Sequence, residues 1–225
     1  MKLLLTSGGV INKSIHEALV DMLDKPIADC NALCIPTAMY GHPWVGPGVK
    51  AWEFITGKEE NPMVNLGWKS VGVLELTALP SIDKERWVPL VKETDVFLVS
   101  GGDALYLYHW MQQSGLAEIL PSLRAVYVGM SAGSMVMTPK IGKDFVGWTP
   151  PSGEDQALGF VDFSIFPHVD HEMLPENTMA AAEQWAAEIN GPAYAIDDDT
   201  AIKVINGETE VISEGHWKLL SKVSS

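Results

Sequence analysis

Through the first 130 positions apolar residues come in short unbroken runs, and most runs stop at Gly, Pro or Ser. Leu3 to Leu5 lead into Ser7-Gly8-Gly9, and Ala32 to Ile35 stop at Pro36. Val71 to Leu76 follow, Val96 to Val99 stop at Ser100-Gly101-Gly102, and Ala125 to Val128 stop at Gly129. A run apolar at nearly every position suits a strand covered on both faces. Between the first two runs, Ile15, Leu19 and Leu23 recur at helical spacing. Strands alternating with helices predict an α/β fold, a three-layer sandwich around a mostly parallel central sheet. Ligands on such sheets bind beyond the carboxyl ends of the strands, where the glycine turns lie.

After Met137 the texture changes. Residues 138 to 159 carry several Gly and Pro and predict an extended loop. Phe160 to Phe166 read as a strand ending at Pro167-His168, and residues 176 to 189 as a helix with Ala181, Trp185 and Ile189 on one face. The tail alternates around Asn206-Gly207, a hairpin signal that predicts a small C-terminal β-ribbon. No repeat, low-complexity tract or linker interrupts the sequence, so residues 1–225 read as one domain.

Charge narrows the function classes. A formal net charge of −14 argues against a nucleic-acid partner or an anionic membrane surface, since phosphate binding needs clustered Lys and Arg. Cys30 and Cys34 share one strand-like segment, which makes a disulfide framework improbable and a poor zinc site. The N-terminal apolar run is too short for a signal peptide, and no stretch reaches the roughly 18 apolar residues that span a bilayer. The default expectation is the cytoplasm, with no membrane partner and either a monomer or a homodimer.

The candidate chemistry centres on Gly129-Met-Ser-Ala-Gly133. A strand before this motif and a helix after it would lift the Ser131 hydroxyl above the sheet edge. A tight turn with an incidental serine would look the same. A serine nucleophile needs a base, an orienting acid and oxyanion donors. The amide of Ala132 follows the serine, and Ser100-Gly101-Gly102-Asp103 could bring a second amide near a ligand. Among six histidines, His168 stands where a strand ends, and His216 lies in the terminal ribbon. His168, Asp170 and His171 are metal-ligand types, but no further ligand follows at recognisable spacing, so neither a metal nor another cofactor is expected. Asp197, Asp198 and Asp199 crowd a strand end, where three carboxylates need cationic or hydrogen-bonding partners.

The ordered set Val99-Ser-Gly-Gly-Asp, Val128-Gly-Met-Ser-Ala-Gly-Ser, Phe166-Pro-His and Ala195-Ile-Asp-Asp-Asp resembles the serine peptidases grouped with peptidase E and cyanophycinase. The resemblance runs from Leu3 to about Gly215 and implies a fold like that of class I glutamine amidotransferases. It implies Ser131 as nucleophile, His168 as general base, Gly102 and Ala132 as oxyanion amides, and short peptides as substrates. The acid maps to Asp198, where the dipeptidase pattern has Glu; Asp197, Asp199 and Asp144 are alternatives. Asp103, Trp148, His171 and Glu172 are candidate substrate contacts. The dipeptidase branch reads an N-terminal aspartate with an arginine whose matching position here is Ala182, and the only arginines are Arg86 and Arg124. An α/β-hydrolase would instead use Ser131, an acid such as Asp198, and then His216. A non-catalytic, amidotransferase-like binding domain is the alternative from another class.

Overall fold

The protein is described by a computed structural model covering residues 1–42, 48–58, 63–143, 145 and 147–220. In chain order the elements are β1 (Lys2–Thr6), α1 (Lys13–Met22), β2 (Asn31–Ile35), α2 (Val49–Thr56), β3 (Ser70–Val73), α3 (Lys84–Lys92), β4 (Val96–Val99), α4 (Ala104–Gln113) and α5 (Leu116–Ile119). They continue with β5 (Val126–Met130), α6 (Ala132–Met135), β6 (Ser164–Phe166), α7 (Met179–Ile189), β7 (Ala193–Ile196), β8 (Thr200–Ile205), β9 (Glu208–Ser213) and β10 (Trp217–Leu220).

The large sheet has the order β3-β2-β4-β5-β1-β8-β9. Its first five strands are parallel, and β8 and β9 close it antiparallel. The unbroken apolar runs have the expected cause. Leu3 and Leu5 enter the core on one face of the sheet, and Leu4 enters the core on the other. Phe97 and Val99 likewise oppose Val96 and Leu98. With both faces covered, alternation disappears from the sequence, as in other α/β sheets.

β3 departs from that expectation. It has one neighbour, β2, and its Val71 and Val73 are 39% and 47% exposed. The run Val71 to Leu76 therefore splits into an edge strand and a turn that buries Leu74 and Leu76.

The second departure fixes the site. The strand expected over Phe160 to Phe166 shrinks to Ser164–Phe166, because the amides of Phe160 and Val161 are bound to the Met137 carbonyl. What remains joins a separate three-stranded sheet, β10-β7-β6, instead of the large one. Helix α7 packs against it through Ala182, Trp185 and Ile189, which share an apolar cluster with Phe166, Val169, Ala193, Ala195 and Leu220. The terminal ribbon is divided: the Asn206-Gly207 hairpin joins β8 to β9 on the large sheet, while β10 pairs with β7. Both hairpin residues have positive φ, 54° and 83°, as the tight turn between antiparallel strands requires.

Candidate active site

Ser131 sits on the turn between β5 and α6, with φ 50° and ψ −111°, a conformation that non-glycine residues rarely adopt. Close packing holds it there. A side chain at Gly129 would place its Cβ 2.5 Å from the Gly133 carbonyl oxygen, and one at Gly133 would place it 2.5 Å from that of Val99. The two glycines thus let the helix fold back tightly on β5 and lie against β4. Beneath the turn, the buried Tyr127 hydroxyl donates to the Gly133 carbonyl at 2.7 Å. The Ser131 amide donates to the Thr6 carbonyl of β1 at 3.0 Å.

His168 follows β6 through Pro167, and its backbone is also left-handed, at φ 58°. It reaches Ser131 from the end of β6 in the second sheet, while Ser131 itself follows β5 of the large sheet. Its Nε2 lies 2.9 Å from Ser131 Oγ, and its Nδ1 lies 2.6 Å from Asp198 Oδ1. An ionised carboxylate can only accept, so Nδ1 carries the proton and Nε2 offers a lone pair to the serine hydroxyl. That arrangement has the connectivity of a serine, base and acid relay.

The three aspartates after β7 have separate jobs. Asp197 is 8% exposed, accepts from Thr200 Oγ1 at 2.6 Å and from the His216 amide at 2.6 Å, and so ties the turn together. Asp199 faces Asn12, whose side chain donates to its carboxylate at 3.3 Å. Asp198 alone of the three touches His168. Burial pushes its carboxyl up, but the bond and charge of His168, the Ser7 hydroxyl and the charge of His171 outweigh it and hold it below the ordinary value. Asp144 lies outside the described residues. His216 bridges Asp197 and Asp170 at 2.9 Å each and makes no bond to Ser131.

The remaining expected residues divide between framework and rim. Asp103 is 1% exposed, and its carboxylate is committed: one oxygen caps α4 at the Tyr106 amide (2.9 Å), the other accepts from the amides of Gly147 and Trp148 at 2.7 Å each. It anchors the loop bearing Trp148, whose half-buried ring leans on Tyr106 and His109. His171 Nδ1 accepts from the Met173 amide, which turns Nε2 toward Asp198 Oδ2 at 3.5 Å. Glu172 beside it is exposed. Gly102 has φ 131°, and the turn carrying it borders the serine: a Cβ at Gly101 would lie 3.4 Å from that of Ser131. Among the described residues neither the Gly102 nor the Ala132 amide has an acceptor.

One contact had no sequence signal beyond a serine at a strand end. Ser7, fully buried after β1, donates to Asp198 Oδ1 at 2.6 Å and accepts from the His168 amide at 2.8 Å. No group of three or more His, Cys, Asp or Glu suited to a metal occurs among the described residues. The two thiols offer no alternative nucleophile, since burial pushes Cys30 up and Cys34 up to about 12.

Comparison with known proteins gives a consistent picture. The profile of Peptidase family S51 matches residues 3–212. A peptidase of Pasteurella multocida (strain Pm70) is 28% identical over 131 residues, which are 55% of this chain and 62% of that protein. A protein named Peptidase E from Nostoc sp. (strain PCC 7120) is 27% identical over 137 residues, 53% of this chain and 56% of its own. The chain thus spans less than two thirds of these curated relatives. A solved structure from Listeria monocytogenes EGD-e assigned to peptidase E shares the fold at TM-score 0.67 and 20% identity, covering 95% of this chain and 98% of its own. A peptidase from an acI-B1 actinobacterium matches at TM-score 0.67 and 19% identity, covering 99% and 91%.

Proposed function

The chain belongs to Peptidase family S51, and from that premise we propose that it is a serine peptidase hydrolysing short peptides, with Ser131 as nucleophile, His168 as general base and Asp198 as orienting acid. One observation carries the reading: the unbroken line from Asp198 Oδ1 through both His168 nitrogens to Ser131 Oγ, at 2.6 and 2.9 Å.

In this reading Ser131 Oγ attacks the peptide carbonyl carbon while His168 Nε2 takes the hydroxyl proton. The amides of Gly102 and Ala132 receive the oxyanion. As the tetrahedral intermediate collapses, the C–N bond breaks and the proton on Nε2 passes to the leaving amine. A water then gives its proton to His168 and attacks the acyl-enzyme. Collapse returns the proton to Ser131 and frees the acid product. Asp198 keeps Nδ1 protonated throughout and balances the transient imidazolium.

Specificity follows from which cations the site lacks. Ala182, the position matching the dipeptidase arginine, is completely buried in an apolar cluster and carries no charge. Arg124 precedes β5 and lies at the amino end of the strands, opposite Ser131. Lys203 is paired with Glu210. With no bidentate carboxylate reader of that kind, the preference extends beyond Asp-X dipeptides.

A library of dipeptides and tripeptides varied at the first residue tests both parts, using the full chain and its Ser131→Ala variant. Cleavage of several sequences, lost in the variant, is the expected outcome. Cleavage confined to Asp-X overturns the specificity. No cleavage at all leaves an amidotransferase-like binding domain as the better reading.

A further inference from the structure

The turn after β1 reads as a plain strand end in the sequence, yet it touches every member of the site. The Thr6 carbonyl holds the Ser131 amide at 3.0 Å and the Ser134 hydroxyl at 2.7 Å. The Thr6 hydroxyl donates to the Gly129 carbonyl at 2.7 Å. One residue later the contacts pass from the serine to its partners. We propose that Ser7 is a positioning residue that sets the His168–Asp198 pair in register, and that Gly8 supplies the close approach the pair requires. The inference rests on the serine-peptidase reading of the site.

A hydroxyl has one hydrogen to give and lone pairs to receive. Ser7 gives its hydrogen to Asp198 Oδ1 at 2.6 Å and receives the His168 amide at 2.8 Å. Its oxygen also lies 3.3 Å from His168 Nδ1, so Ser7, the imidazole and the carboxylate form a closed triangle. The hydroxyl's bonds are thus committed to this pair, and Ser7 is 0% exposed, which keeps water from competing for them. The bond to the His168 amide also braces a non-glycine residue in the left-handed region, a conformation that persists only where its surroundings hold it.

Gly8 addresses a question of reach. Aspartate is the shorter of the two acidic side chains, so its backbone must come close to the histidine. A Cβ at position 8 would lie 2.8 Å from Asp198 Cβ and 3.1 Å from its carbonyl oxygen. Any larger residue would push the acid-bearing turn away from β1. The Ser7 amide, 3.3 Å from the Thr200 carbonyl, ties the same turn from its other side.

A buried serine that only satisfies its neighbours would affect stability alone, so the test separates stability from chemistry. The readout is the second-order rate at which a fluorophosphonate labels Ser131, measured with the melting temperature of each full-length variant. Ser7→Ala is expected to slow labelling by about 10- to 100-fold, the scale on which partners that orient metal-bound histidines act. Because part of Ser7's action runs through the carboxylate, the same change made on an Asp198→Ala background should cost less than it does in the parent. Gly8→Ala should slow labelling with the hydroxyl still in place. A Ser7→Ala rate within about threefold of the parent, or a loss that multiplies fully onto Asp198→Ala, overturns the proposal. Should Ser7→Ala lose its thermal transition, Ser7→Cys takes its place: similar size, weaker donor, and the same two outcomes. Failure of the underlying reading looks different, since the parent would then not label or Ser131→Ala would label as fast.

Discussion

The imidazole of His168 spans a carboxylate and a hydroxyl, whereas that of His216 spans two carboxylates, Asp170 and Asp197. Only the first arrangement can move a proton to and from a serine. His168→Ala should therefore lower peptide turnover by about 10²–10⁴-fold, the usual contribution of a general base. His216→Ala should leave turnover within about threefold, because its half-exposed bridges are worth little. Steady-state rates on any peptide the parent cleaves decide the point, and the reverse ranking would restore the α/β-hydrolase order. The proposed roles of Ser131 and His168 were legible in the sequence because their neighbours are distinctive: glycines flank one, and a strand-ending proline precedes the other. The resemblance pointed to Asp198 and left Asp197 and Asp199 as alternatives, because which of three adjacent side chains faces the histidine is not encoded in any local pattern; it is Asp198 that lies against His168. Ser7 was hidden for a similar reason, as its two partners lie 161 and 191 residues away.

At the scale of elements, the elbow is a strand, a single strained residue and a one-turn helix, and its stability comes from close packing against β4 and β1. Gly133→Ala drives a methyl into the Val99 carbonyl oxygen at 2.5 Å. Overpacking of this kind costs about 1–3 kcal/mol, so a lower denaturation midpoint at unchanged slope is expected, with slower Ser131 labelling. An unaltered midpoint would mean that α6 can shift freely. The strands of the parallel half were readable because burial on both faces leaves continuous apolar runs, as in β1, β4 and β5. The second sheet was not. β6 has three residues, and its assignment depends on pairing with β7, which in turn pairs with β10, both elsewhere in the chain.

For the whole molecule, 29 acidic against 15 basic side chains make carboxylates the main titrating population. Those of Asp198, Asp24 and Glu214 are held below their ordinary values: for Asp198 burial opposes but His168 and Ser7 prevail, for Asp24 the cause is Lys2, and for Glu214 the Ser14 amide. A carboxyl depressed by folding stabilises the protein above its unfolded value, about 3.9–4.3, and that contribution is lost as pH falls through the folded value. The melting temperature should thus fall as pH drops below about 4, and Asp198→Asn should flatten part of that fall. Calorimetry between pH 7 and 2 measures it, and a flat profile below pH 4 would contradict the assignment.

The contact between Ser7 and Asp198 joins residues 191 positions apart. During synthesis Ser7 precedes Ser131 and His168, and Asp198 follows all three. On the proposed reading the growing polypeptide carries its serine and histidine for many residues before it gains the carboxylate that orients them. On that reading, the site is completed only when Asp198 reaches Ser7, which requires β1 and β8, the strands flanking the two residues, to have paired.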